Sequence, residues 1–140
     1  MSKLGNILDK LKAQLDALKN DDGGDLFEQV YINPVTNGQV PYAQIVMGGG
    51  EPSPDKMDVN GVVDITQELI VRVHTHTKAD ALEIWEDLLV VWFDETRFQQ
   101  LNALDVLQIH PISSAPPIVF QGVKEVIFDM SWFIEIRFDY

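Results

Sequence analysis

The chain has 140 residues, 46% of them hydrophobic and 23% charged, and its 22 acidic residues outnumber 10 Lys plus Arg for a formal net charge of −12. A chain of this length makes one domain that buries about 70% of the surface it would expose unfolded, and the composition is globular rather than disordered or fibrous. Cysteine is absent, which excludes disulfides and thiolate metal sites, and Arg72, Arg97 and Arg137 stand singly among acids, which excludes tight binding to nucleic-acid phosphates.

No apolar run approaches the roughly 20 residues that cross a bilayer. The first residues interleave Lys with Leu and lack the apolar core of a signal peptide, so the expectation is a soluble intracellular protein without a membrane partner. Leu4, Leu8, Leu11, Leu15 and Leu18 are spaced four, three, four, three and predict a helix over 3–19. Asn20, Asp21, Asp22, Gly23 and Gly24 end it. Coiled coils sustain about three or four heptads; this stripe is shorter, so it is expected to pack on the protein's own sheet.

Residues 25–32 (DLFEQVYI) read equally as a short strand or a further helical turn. Asn33-Pro34 and Asn37-Gly38 mark turns, and 41–47 (PYAQIVM) reads as a strand with Pro41 first, where its missing N–H does no harm. Three consecutive glycines and two prolines over 48–61 predict a long flexible loop. From 63 to 77 the chain alternates, with Val63, Ile65, Leu69, Val71 and Val73 apolar and Gln67 and Ile70 as exceptions. Helical spacing follows over 78–93, with Leu82, Trp85, Leu89 and Trp92 on one side, Ile84, Leu88 and Val91 widening the stripe, and Thr77 as N-cap. Residues 105–112 (DVLQIHPI) form a strand that Pro111 restricts to an edge or an end.

The last fifteen residues, VIFDMSWFIEIRFDY, are apolar at every even position: Val126, Phe128, Met130, Trp132, Ile134, Ile136, Phe138 and Tyr140. This is a long strand with one buried face. Its odd face is polar except for Phe133, set among Asp129, Ser131, Glu135 and Arg137. The expectation is a single α+β domain over 1–140, with a mostly antiparallel four- to five-stranded sheet and two helices packed on one face.

Catalytic chemistry finds no purchase. His74 and His76 could share a strand face, but two ligands are too few for zinc, and they read as exposed polar residues. Nucleophile-elbow, zincin and phosphate-loop patterns are missing, and the carboxylate pairs Asp21/Asp22 and Glu86/Asp87 read as solvated. The expectation is a protein that is no enzyme and holds neither cofactor nor metal.

The order of elements, with PYAQIVM, the alternating TQELIVRVHTHT, the helix KADALEIWEDLLVVWF and a long final strand, resembles the lambda-type tail terminator proteins of long-tailed bacteriophages over most of the chain, residues 41–140. The resemblance implies a structural virion protein. It would form a hexameric ring that caps the tail tube, ends its polymerisation and presents the head-docking surface, at the head-proximal end of the tail. Its partners would be copies of itself, the tail tube protein and a head-completion or neck protein, with genomic DNA passing through the lumen unbound. In host cytoplasm it would await assembly. The segment 48–61 would be the projecting arm, making Gly48, Gly49, Gly50, Glu51, Asp55 and Lys56 interface candidates, with Phe133, Glu135 and Arg137 on the last strand. The alternatives are another head-tail connector ring protein and a non-viral acidic protein-binding module.

Overall fold

A computed structural model describes residues 2–33, 38–52, 61–112, 120–121 and 125–139. The chain is an α+β domain whose sheet is mixed but mostly antiparallel. The elements are α1 (Lys3–Asp16), β1 (Gln29–Tyr31), β2 (Tyr42–Pro52), β3 (Val62–Thr75), α2 (Lys78–Leu89), α3 (Glu95–Asn102), β4 (Val106–Pro111), β5 (Phe120–Gln121) and β6 (Val126–Asp139). The strand order is β1-β2-β3-β6-β4; among the described residues only β1 with β2 is a parallel pair, and the two-residue β5 pairs with the start of β6.

Strands β3 and β6 are each 14 residues long and pair along their whole length, from Val62 opposite Asp139 to Thr75 opposite Val126. In this register Val71 faces Met130, Leu69 faces Trp132 and Val73 faces Phe128, so the two alternating patterns fall on one side and fuse into one core. Ala43 and Ile45 of β2 join the same side opposite Val73 and Val71. A shift of one residue would send each set to the opposite face. Gln67 lies in the core row opposite Ile134, its Oε1 buried without a hydrogen-bond partner.

Helix α1 is capped by Ser2, whose Oγ accepts from the N–H of Gly5 at 2.9 Å, and it ends at Asp16, short of the expected Lys19. Its fully buried line is Ile7, Leu11 and Leu15, with Leu4 and Leu8 at the margin, so the apolar stripe is rotated slightly from the all-leucine one. Lys3 reaches back to both the Asp105 carboxylate and the Arg137 carbonyl at 2.6 Å, fastening the helix start to the far end of β6. Asp105 holds a positive φ of 69°, a conformation that Asp tolerates better than most residues.

Packing decides one segment that the sequence left open and corrects three expectations. The undecided 25–32 segment yields a strand, β1, because it finds an edge on β2. Residues 48–52 belong to β2, with Gly50, Glu51 and Pro52 opposite Gln67, Thr66 and Ile65 after a bulge that follows Met47; a long β3 offers a ladder that composition does not reveal. The helix expected over 78–93 stops at Leu89, and a 3-10 turn at Val91–Phe93 followed by α3 makes a third helix. On α2 the buried line is Ala81, Ile84 and Leu88, while Leu82 is exposed. Thr77 does cap α2, its Oγ1 accepting from the N–H of Asp80 at 3.1 Å. Strand β4 lies at the sheet edge with Pro111 as its last residue, the place that the missing N–H requires.

Candidate functional site: the open face of the sheet

The three helices contribute their buried side chains to the core on one face of the sheet. The opposite face carries the other half of each alternating strand, and among the described residues no helix covers it. Val46 at 48% exposure and Phe133 and Ile112 at 41% each are its uncovered large apolar side chains. Between them the face is polar and internally paired. Arg72 grips Asp129 through two bonds of 2.8 and 3.0 Å, and Arg137 grips Asp64 at 2.8 and 3.1 Å. Asp64 is almost completely buried.

Registers across four strands assemble residues that the sequence holds far apart. Glu51 on β2, Thr66 on β3, Glu135 on β6 and Gln108 on β4 occupy one transverse row, and Glu68, Phe133 and His110 occupy another. Of the interface candidates, Glu51, Phe133, Glu135 and Arg137 are thereby brought to one region, with Gly50 in a row beside Gln67 and Ile134. Gly48 packs closely on Glu68, where an added Cβ would come within 3.2 Å of the Glu68 Cβ, whereas the corresponding position at Gly49 meets open space. Asp55 and Lys56 lie outside the described residues. Thr66, Gln108 and His110 were missed as site residues. In β4 the signal was the polar pair Gln108 and His110 flanking Ile109, too short an alternation to assign a face without the partner strand.

At the other end of this face the expectation of exposed histidines fails for His74, which is only 8% exposed. Its ring stacks on Tyr42, 4.2 Å between centroids and 11° between planes, and its Nδ1 lies 2.9 Å from the Glu125 carboxylate. Burial, and secondarily the Glu125 charge, raises the Tyr42 phenol above its ordinary value. His76 lies beyond the end of β3 and is exposed, so the two histidines share no ligand set. Among the described residues no three of His, Asp and Glu are grouped to hold a metal ion.

A second recess, of about 270 Å³, lies between the turn after α1 and the first half of α2, with Asp21, Asp22, His76, Asp80 and Glu83 on its walls. Asp21 raises the Glu83 carboxyl above its ordinary range, first by a hydrogen bond and then by its charge. Asp87 is raised mainly by burial, with Asp21 and Glu86 adding to it. The acids of this end repel one another.

No protein-family model matches the chain, and no curated protein matches it as a relative. Fold and face together define the class: a small α+β domain with helices on one side of its sheet and mixed apolar and charged groups on the other.

Proposed function

We propose that the protein is a tail terminator of a long-tailed bacteriophage, a structural virion protein whose hexameric ring caps the tail tube, stops its growth and receives the head. The observation that carries this reading is the open sheet face, where Phe133 is 41% exposed amid paired charges. A surface of that kind is built to meet another protein surface: interface cores favour aromatic residues with polar groups at the rim. The acidic balance of 22 to 10 suits a ring whose lumen must let DNA slide through without gripping it. The tail tube protein lies below the ring in this reading, and a neck protein above.

Size-exclusion chromatography with light scattering, followed by negative-stain microscopy, tests the proposal with and without purified tail tube. Rings of sixfold mass that seat on tube ends are the expected result. Phe133→Asp should leave the melting temperature nearly unchanged, as exposed substitutions usually do, and should abolish the ring. A monomer that stays monomeric beside tail tubes overturns the proposal; rings that bind an isolated head connector but not the tube assign the protein to the neck instead.

A further inference from the structure

Six large apolar side chains stand exposed among the described residues, and only three of them, Val46, Ile112 and Phe133, belong to the open face. The other three, Leu82 at 37%, Val90 at 56% and Phe93 at 70%, fall on α2, at its C-cap and in the 3-10 turn that follows, on the helical side of the sheet.

Helical spacing groups them. Leu82, Trp85 and Leu89, three and four residues apart, share one side of α2. Trp85 and Leu89 are half-buried against the core, so this ridge runs outward from the core margin to exposed Leu82. Beyond Leu89 the Phe93 N–H donates to the Val90 carbonyl at 3.1 Å, and side chains three residues apart in a 3-10 turn eclipse one another. Val90 and Phe93 therefore stand together at the C-terminal end of α2.

Acids rim the ridge. From Lys78 to Glu95 the sequence carries Asp80, Glu83, Glu86, Asp87, Asp94 and Glu95 against Lys78 alone. Glu86 follows Leu82 and precedes Val90 by four residues, so it is the helical neighbour of both. Among the described residues no basic side chain forms an ion pair with any of the four acids on α2. The arginine that follows, Arg97, turns its guanidinium to the Val91 carbonyl at 3.2 Å.

Single exposed apolar side chains are ordinary, but a group of them rimmed by polar residues marks a surface for another molecule. The charge of the rim decides which. It repels anionic lipid, and a second copy of the chain brings its own net charge of −12. Nor can that copy lend its lysine-bearing helix, because the apolar side of α1, Ile7, Leu11 and Leu15, is fully buried in its own core. A ridge with residues three and four apart is the shape against which another helix packs. Unpaired acids beside it are complemented by Lys or Arg on the flank of that helix.

We infer that the outer side of α2 and the turn after it dock a basic amphipathic helix of a different protein, with Phe93 as the apolar anchor and Glu86 among its counter-ions. This surface is separate from the open face and does not rest on ring formation.

The probe is a synthetic peptide of two repeats of Leu-Lys-Lys-Leu-Leu-Lys-Leu, titrated into the ¹⁵N-labelled full chain and followed by amide chemical shifts. An isomer of the same composition with its leucines scattered round the helix, and the counterpart with Glu for Lys, are the controls. Saturable shifts centred on Leu82, Glu86, Leu89, Val90 and Phe93 are expected for the basic amphipathic peptide alone. Phe93→Ser should weaken binding about tenfold, as loss of an aromatic anchor does, with little change in melting temperature because the side chain is exposed. Glu86→Gln should weaken it about two- to fivefold, a difference that added salt removes. Should Phe93→Ser fail to fold, Val90→Ser carries the test. Equal binding of either control peptide, shifts that spread over the acidic surface or centre on the open face, or undiminished affinity in the folded variants overturns the inference. Binding of the chain to vesicles of phosphatidylcholine and phosphatidylglycerol that Phe93→Ser abolishes would assign the surface to lipid, and loss of self-association in that variant would assign it to a second copy; either result also overturns it.

Discussion

The indole N–H of Trp92 donates to the Oε1 of Gln14 at 2.9 Å, a buried bond between residues 78 positions apart in the chain. The amide of the same Gln14 donates to the Arg97 carbonyl at 2.9 Å and to Gln100 Oε1 at 3.0 Å. One buried side chain thus ties α1 to the 3-10 turn and to α3, and through Trp92, edge-on to Trp132 at 4.9 Å, to the centre of β6. Gln14→Leu keeps the volume but leaves the Trp92 N–H and the Arg97 carbonyl without that partner. The expected cost is about 1–3 kcal/mol, read from urea denaturation midpoints at constant m; a neutral result would show that the polar clamp adds nothing over apolar packing.

Trp132 and Trp85 have the same side chain and should respond differently. Trp132 is 1% exposed at the heart of the core, whereas Trp85 is only partly buried on α2. Trp132→Ala should cost about 3–5 kcal/mol as a full aromatic truncation. Trp85→Ala should cost well under that. Thermal or chemical unfolding of the two variants side by side decides it, and equal losses would contradict the packing described.

Arg137 with Asp64 and Arg72 with Asp129 share bidentate geometry but not environment. Asp64 is 1% exposed on its side chain, while Arg72 and Asp129 are 50% and 44% exposed. Arg137→Met therefore removes a countercharge from a buried carboxylate and should cost about 1–3 kcal/mol, a range kept low because the guanidinium itself is half in solvent. Arg72→Met should cost about 0–1 kcal/mol. A double-mutant cycle on each pair, run at low and high salt, measures the contrast; similar coupling energies would mean that burial of Asp64 confers no advantage.

The acids around Asp21 impose a pH dependence with a definite sign. Glu83 and Asp87 both have carboxyls raised above their ordinary 4.5 and 3.8. A carboxyl raised in the folded state costs stability once ionised: the cost is absent below the ordinary range and complete above the raised folded value. This end of the molecule therefore loses stability as pH climbs from about 4 through the raised values. Asp21→Asn removes the charge that raises Glu83 and offers an amide that can donate to the ionised carboxylate, so it should increase the melting temperature at pH 7 and change it much less near pH 4. A variant no more stable than the parent at pH 7 would show that solvent screens the cluster.

Much of the architecture was legible because strand alternation is a local property. The even positions of β6 and the odd positions of β3 predicted the core face, and Gln67, with a buried oxygen, and the buried Thr75 are its polar positions. The ends of elements were less legible. Glycines at 48–50 look like a loop when seen alone, but β3 extends far enough to pair with Gly50, Glu51 and Pro52. His74 resembles any polar strand residue until Tyr42 and Glu125 close over it from the start of β2 and the approach to β6.

The sequence by itself determined the α+β class, the long strands and the acidic surface, because period, composition and charge are written residue by residue. Only the tertiary structure decided which odd-face residues meet. The row Glu51, Thr66, Glu135, Gln108 depends on the registers of three strand pairs, and register is set by long-range packing of the core on the opposite side of the sheet.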